Sequence, residues 1–317
     1  MATTLLFPGQ GAQWVGMGQD LCAEFPTARA LYDEANDVLG FDLAKLCFEG
    51  PADTLTLTRY AQPALFVHSL ACHAVLTALV GELNPAAVAG HSVGEYPALV
   101  VAGALSFAEG LRLVQARGDC MDRLGEGRMA ALSLTEEEVR PIAQRFFCDI
   151  AVLNLPKQTV VGGREADLVA LQGALEAEGK SPGVRLETSG AFHTHLMVPA
   201  ALAFREHLDA AHFRALKVPA ISNVSGRFHD AGGDPGGIRA ALFYQVFNPV
   251  RWSDGAEHLV ATGHTHFIEL GGGDGGAPPK RGRLEAIMKR VLKAAKIEGD
   301  HQAVVTVETA RALRGPP

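Results

Sequence analysis

The stretch AVAGHSVGEYPALV, Ala87 to Val100, decides how the chain is read. Its flanks are small or apolar, and the polar His91-Ser92 pair interrupts them. Residues 86–90 (AAVAG) have the length and composition of a short buried strand. EYPALVVAGAL reads as a helix of small residues that can pack close to a sheet. A serine therefore stands where a strand ends and a helix begins. Gly90-His91-Ser92-Val93-Gly94 matches G-x-S-x-G, the nucleophile elbow. The glycines permit the sharp turn, and the turn lifts the hydroxyl above the C-terminal edge of the sheet. It also aims the Val93 N–H and the helix dipole at an oxyanion formed there.

Outward from the elbow, TTLLF (3–7) is a short apolar strand ended by Pro8-Gly9. Residues 19–39 and 62–80 read as helices, the second almost wholly apolar and hence buried. The middle of the chain changes character. RMAALSL, TEEEVRPIAQRFF, DIAVLNL, QTVVGG, READLVALQGALEAEG and GVRLETS follow in the order β-α-β-β-α-β. That order is the signature of a ferredoxin-like subdomain, expected at 127–188 as an insertion. After it come a helix (196–211), a strand (VPAISNVS), a glycine-rich turn (230–237), a helix (238–247) and a strand (HTHFIELG). Residues 1–126 and 189–317 thus alternate helix and strand. The class is α/β, with a parallel sheet covered on both faces. There is no internal repeat.

Of 317 residues, 48% are hydrophobic and 20% charged, enough for a sizeable core. A net charge of −7 argues against a dedicated nucleic-acid binder, which would carry a basic face. No apolar run is read as approaching the ~20 residues of a membrane span. The start, MATTLLFPGQG, lacks a basic segment and a long apolar run, so no signal peptide is expected. Cys22, Cys47, Cys72, Cys120 and Cys148 are scattered and odd in number, which fits reduced thiols of a cytoplasmic protein.

Arg117 is the most informative residue on physical grounds. FAEGLRLVQARGDCMDRL has helical period, and the residues three and four positions from Arg117 are Leu113, Val114, Cys120 and Met121. Its guanidinium therefore points with the buried stripe, whereas Arg112 has Glu109 three residues back and can be solvated. A buried guanidinium without an anion costs roughly several kcal/mol. Either a protein carboxylate, for instance Glu95, or a ligand carboxylate must meet it.

FPGQGAQWVGMG (7–18), QPAL (62–65), GHSVGEYPAL (90–99), QARGDCM (115–121), GAFHTHLM (190–197), ISNVSGR (221–227) and NPVRW (248–252) together resemble the malonyl-CoA:acyl-carrier-protein transacylases and the related acyltransferase domains of polyketide synthases. The resemblance runs over about residues 3 to 271. It implies an α/β-hydrolase-like parallel-sheet core with a ferredoxin-like insert. It also implies a ping-pong acyltransferase, with malonyl-CoA and a phosphopantetheinylated carrier protein as substrates and no bound cofactor. Ser92 would carry the acyl group and His193 would be its base, with His195 as the rival two residues on. The backbone carbonyl of Gln245 would orient the histidine, since the resemblance offers no aspartate. Gln10 and Val93 would supply the oxyanion-hole N–H groups. Arg117 would grip the malonyl carboxylate with two parallel hydrogen bonds. Phe192 fits the malonyl pattern, although a core anchor for its loop would look the same. Asn154 matches a substrate-side asparagine, but Val152 stands where relatives often have another. Gln62 matches a pocket glutamine, or a polar residue at a helix start.

The chain departs from the relatives after the last core strand, where GGGDGGAPPKRGRLEAIMKRV replaces a GPGKVLTGL-like segment. The helix that follows has Leu284, Ile287, Met288, Val291, Leu292 and Ala295 on one face. On the other stand Arg283, Lys289, Arg290, Lys293 and Lys296, preceded by Lys280 and Arg281. Acyl carrier proteins are acidic, so this face is a candidate docking surface, with Lys180 and Arg185 near the insert as rivals. A plain solvated face is the alternative. His193-x-His195 and His264-x-His266 lack a third ligand at metal-site spacing, so no metal is expected. A monomer is expected, without nucleic-acid or membrane partners. Transfer to a carrier protein, in fatty-acid or polyketide biosynthesis, leads the functional reading. Transfer of another acyl group, an editing thioester hydrolase and a non-catalytic scaffold are the alternatives.

Overall fold

The computed structural model describes residues 3–230, 234–274, 279 and 281–313. Lys280 and part of each glycine-rich stretch lie outside the described residues. Ten strands are named: β1 Thr3–Phe7, β2 Ala87–Gly90, β3 Arg128–Leu132, β4 Asp149–Leu155, β5 Gln158–Gly163, β6 Val184–Leu186, β7 Ile221–Ser222, β8 Arg227–Phe228, β9 His266–Leu270 and β10 Asp300–Val304.

The core sheet has the order β10-β9-β1-β2 and is parallel throughout, as the alternation of helices and strands requires. Phe7 lies opposite Gly90, so the loop after β1 and the elbow after β2 leave the same sheet edge side by side. Ala220 forms a parallel bridge to Val88 and extends the sheet beyond β2. The helices Thr58–Val80 and Phe107–Leu124 pack on each other, the second opened by a capping box between Ser106 and Glu109.

Strands β3 to β6 form a second sheet, antiparallel, in the order β4-β5-β3-β6, with helices Glu136–Arg145 and Glu165–Ala177 in the crossovers. The alternation of side chains along a strand divides its residues between two environments. Ala130, Leu132 and Val161 join Leu168, Leu171 and Leu175 in a small core of their own. Met129 and Val160, one position away, face the main core instead. This sheet therefore has one face on its own helices and the other over the large unit.

Several expectations need correction. The helix read over 19–39 is two, Gln19–Glu24 and Pro26–Leu39, because Phe25 is extended ahead of Pro26. The apolar helix is longer than read, Thr58–Val80, and is long and apolar enough to cross a membrane. Its most apolar window is 67% buried inside the fold, which gives that composition a different cause. VPAISNVS yields only Ile221–Ser222, paired with β8, because the chain turns at Asn223. Strand β10 and the helix Val307–Ala312 were not expected from the divergent C-terminal segment.

Both glycines of the elbow are there for space. A Cβ on Gly90 would lie 1.9 Å from the Gly94 carbonyl oxygen, and one on Gly94 would lie 2.3 Å from that of Phe7. Gly90→Ala and Gly94→Ala are each predicted to destabilise the fold by about 3 kcal/mol. The check is a urea titration: the midpoint should fall at an unchanged slope. A midpoint equal to wild type would contradict the packing argument.

Candidate active site

Ser92 has φ 52, the left-handed region that costs a non-glycine residue roughly 1–3 kcal/mol. The cost is borne because the turn is held from outside. Asn223 Oδ1 accepts from the Ser92 N–H at 2.7 Å, and Asn223 Nδ2 donates to the Gly90 carbonyl at 2.7 Å. One buried side chain thus ties the two limbs of the elbow. A short 3-10 turn, Ser92–Gly94, then runs into the helix Glu95–Val101.

His193 also has a positive φ, 64, and its N–H donates to the Val246 carbonyl. Its ring Nδ1 lies 2.7 Å from the Gln245 carbonyl oxygen and its Nε2 lies 2.8 Å from Ser92 Oγ. A carbonyl oxygen can only accept, so Nδ1 carries the proton. Nε2 then presents its lone pair to the seryl O–H, the arrangement that general-base activation requires. Burial, reinforced by the Arg117 charge and opposed by the bond to Gln245, pulls His193 down from 6.5 to about 3. The imidazole is therefore held neutral.

Arg117 is 1% exposed, as its helical position predicts. Its Nη1 donates to Gln62 Oε1 at 2.8 Å, and its Nη2 donates to Gln245 Oε1 at 3.1 Å and to Ser92 Oγ at 3.2 Å. Its guanidinium carbon lies 5.8 Å from the Tyr96 ring centroid. Glu95, the carboxylate considered from the sequence, reaches Arg117 only through Gln245. Gln245 Nε2 donates to Glu95 Oε2 at 2.6 Å. Two amides and a hydroxyl surround the cation in place of an ion pair.

These groups open on a cavity of about 940 Å³. Gln10, Val93, Gln62 and Phe192 line it with Ser92, His193 and Arg117. Its roof is the open face of the antiparallel sheet, including Met129, Ala131, Val152, Asn154 and Val160. Phe192 is 7% exposed and joins the core cluster, so it is both a core anchor and a wall of the cavity. Asn154 Oδ1 pairs with His91 Nε2 at 2.9 Å, which couples the insert to the elbow. Gln62 touches Arg117 and, at 3.6 Å, the Met121 sulfur, so its side chain is spent on the arginine.

The rival His195 is not in this cluster. His193 itself is left-handed, Thr194 is extended and a 3-10 segment begins at His195, which is exposed with its Nδ1 2.6 Å from Asp149 Oδ2. His264 pairs with Thr4 and His266 with Asp300. Among the described residues no three metal-ligating side chains cluster. The helix Glu285–Ala295 buries Met288, Val291 and Leu292 and exposes Lys289, Arg290 and Lys293, while Ala295, read as part of the buried face, is exposed at its end. Arg281, Arg283, Lys289 and Arg290 reach the cavity mouth, with Lys289 paired to Glu285. Lys180 and Arg185 lie on the insert, paired to Glu178 and Glu165. Sequence reasoning missed the part played by Asn223. Its only signal was its place in the ISNVSGR segment.

A family model described as "Acyl transferase domain" matches residues 4–272. The malonyl CoA-acyl carrier protein transacylase of Bacillus subtilis (strain 168) is 40% identical over 278 residues, 84% of this chain and 86% of that protein. The crystal structure of an acyl-carrier-protein-S-malonyltransferase from Bartonella henselae is similar with a TM-score of 0.88 at 36% identity, covering 98% of each chain. A malonyl-transacylase solved in complex with its holo type II polyketide synthase acyl-carrier protein is similar with a TM-score of 0.88 at 32% identity, again over 98% of each chain.

The depressed pKa of His193 has a pH signature. A group whose pKa is lowered loses its basic form only when the pH falls to the lowered value. Sulfonylation of Ser92 by an arylsulfonyl fluoride should therefore hold its rate within about twofold from pH 8 to pH 5. An ordinary imidazole would lose most of the rate through pH 6.5. A tenfold fall centred there would contradict the neutral, buried base.

Proposed function

The chain belongs to the acyl transferase domain family, and from that premise we propose that it moves a malonyl group from malonyl-CoA to the phosphopantetheine thiol of an acyl carrier protein. The observation that carries the reading is Arg117, buried without a carboxylate in contact and 3.2 Å from the hydroxyl that would bear the acyl group. A malonyl ester on Ser92 ends in a carboxylate one carbon beyond its carbonyl. That carboxylate would supply the missing anion, whereas an acetyl group would not.

In the proposed mechanism Ser92 Oγ attacks the thioester carbonyl while its proton passes to His193 Nε2. The N–H groups of Gln10 and Val93 receive the oxyanion. The imidazolium, steadied by the Gln245 carbonyl, returns the proton to the departing CoA thiolate. The carrier thiol then repeats the sequence in reverse. Phe192 narrows the cavity beside the acyl chain and favours an unbranched malonyl group. Asn154 lines the path of the pantetheine arm. Gln62 acts on the substrate through Arg117. Exchange of one thioester for another calls on no bound cofactor.

The same reading treats residues 1–126 with 189–317 as an α/β-hydrolase-like core, and 127–188 as a ferredoxin-like lid over the acyl site. The strand order β4-β5-β3-β6 and the separate small core support it. For carrier docking the face with Lys289, Arg290, Lys293 and Lys296 is favoured over Lys180 and Arg185, because Lys289 and Arg290 border the cavity mouth. We place the protein in the cytoplasm as a monomer, in fatty-acid or polyketide synthesis. Its five buried free thiols fit a reducing compartment.

Intact-mass analysis after mixing with malonyl-CoA should show one malonyl adduct, absent in Ser92→Ala and discharged faster by a carrier thiol than by water. Rapid CoA release without an acceptor would instead indicate a hydrolase. Arg117→Ala should cut malonyl-over-acetyl preference by about 100-fold, the scale of a buried charged hydrogen-bonded pair. An unchanged preference would end the malonyl assignment. Charge reversal at Lys289, Arg290 and Lys293 should raise the KM for the carrier protein and leave that for malonyl-CoA nearly constant. An unchanged carrier KM would remove this helix from docking.

A further inference from the structure

We propose that Glu95 is the remote counter-ion of Arg117, acting through the side-chain amide of Gln245, and that this spacing sets how strongly the enzyme prefers a carboxylated acyl group. The inference rests on the reading of Arg117 as the malonyl clamp.

Glu95 is 1% exposed, and its carboxylate is held on several sides. Oε2 accepts from Gln245 Nε2 at 2.6 Å and from the Asn223 N–H at 3.2 Å, while Oε1 lies 3.1 Å from His229 Nε2. The Gln245 amide lies between the two charges. Its oxygen faces the Arg117 cation at 3.1 Å and its nitrogen faces the Glu95 anion. The amide dipole is thus favourably oriented toward both ends. The same nitrogen donates to the Ser92 carbonyl at 3.0 Å, which fixes the amide's orientation.

A carboxylate in direct contact with Arg117 would occupy the donors that the substrate needs. No anion nearby would leave a buried cation uncompensated. The relay lies between these extremes. Charge is balanced across one amide, and the guanidinium touches only neutral groups that a malonyl carboxylate can outcompete. Gln62, 2.8 Å from Nη1, is the second neutral acceptor. Glu95 is a positioning residue in this scheme, since it touches neither the acyl group nor the reacting atoms.

Two isosteric substitutions move the ratio of kcat/KM for malonyl-CoA over acetyl-CoA in opposite directions. Glu95→Gln keeps an acceptor for Gln245 and Asn223 and offers its amide nitrogen to His229, while it removes the anion. The ratio should rise by about tenfold. Gln62→Glu places a carboxylate directly on Arg117, and the ratio should fall by at least tenfold. A purely structural role would lower both substrates together and leave the ratio fixed. A ratio that stays at the wild-type value in either folded variant overturns the proposal. If Glu95→Gln does not fold, Gln245→Met, which keeps the backbone carbonyl on His193 and breaks the relay, decides: a wild-type ratio in that variant overturns the proposal. Arg117→Ala is the control: a wild-type ratio in that variant sinks the malonyl reading itself. A collapsed ratio there with an unmoved one in the isosteres sinks only the relay.

Discussion

A positive charge buried without a carboxylate in contact is the constraint around which this molecule is arranged. Arg117 lies at the centre of the helix Phe107–Leu124, on the face that packs into the core, with its guanidinium against Ser92, Gln62 and Gln245. Each of those partners comes from a different part of the chain, and each is neutral. Burial lowers the pKa of the adjacent imidazole, and a cation so placed lowers it further and donates to the seryl hydroxyl. It also leaves a gap in electrostatic compensation that an anionic acyl chain can fill. Ser92, His193 and Gln245 thus all lie in the field of one buried charge.

The hydroxyl that meets this charge is presented by a turn the chain would not adopt alone. Left-handed backbone at both Ser92 and His193 is held by groups distant in sequence, Asn223 for the first and Val246 for the second. Gln245 links the two problems. Its backbone carbonyl fixes the histidine tautomer and its side chain contacts the arginine. The strain is local, and the residues that sustain it, Asn223 and Val246, are buried, where an unmade hydrogen bond is costly.

The antiparallel sheet of β3 to β6 contributes by simple alternation. Because neighbouring residues on a strand face opposite ways, one sheet can carry a private core on its helices and a cavity wall on its other side. Met129 and Ala130 in β3, and Val160 and Val161 in β5, show the division. The antiparallel sheet contacts the elbow through the Asn154–His91 bond, so the roof of the cavity and the turn that carries Ser92 are mechanically joined.

Local pattern settled what depends on near neighbours along the chain. The elbow at Gly90–Gly94, the β-α-β-β-α-β run and the inward face of Arg117 are all short-range facts, carried by period and by glycine. The preference for His193 over His195 came from the motif resemblance and not from local pattern, and the left-handed backbone at His193 that separates the two rings was not legible. Nor was the pairing of Arg117 with amides, or the Asn223 clasp across 131 positions. Strand β10 was equally hidden, since a short edge strand is defined by the neighbour it joins. The sequence by itself determined the class of fold and which side chains had to be inside. Only the tertiary structure decided which buried groups meet, because hydrogen bonds between distant segments depend on through-space geometry that no local periodicity encodes.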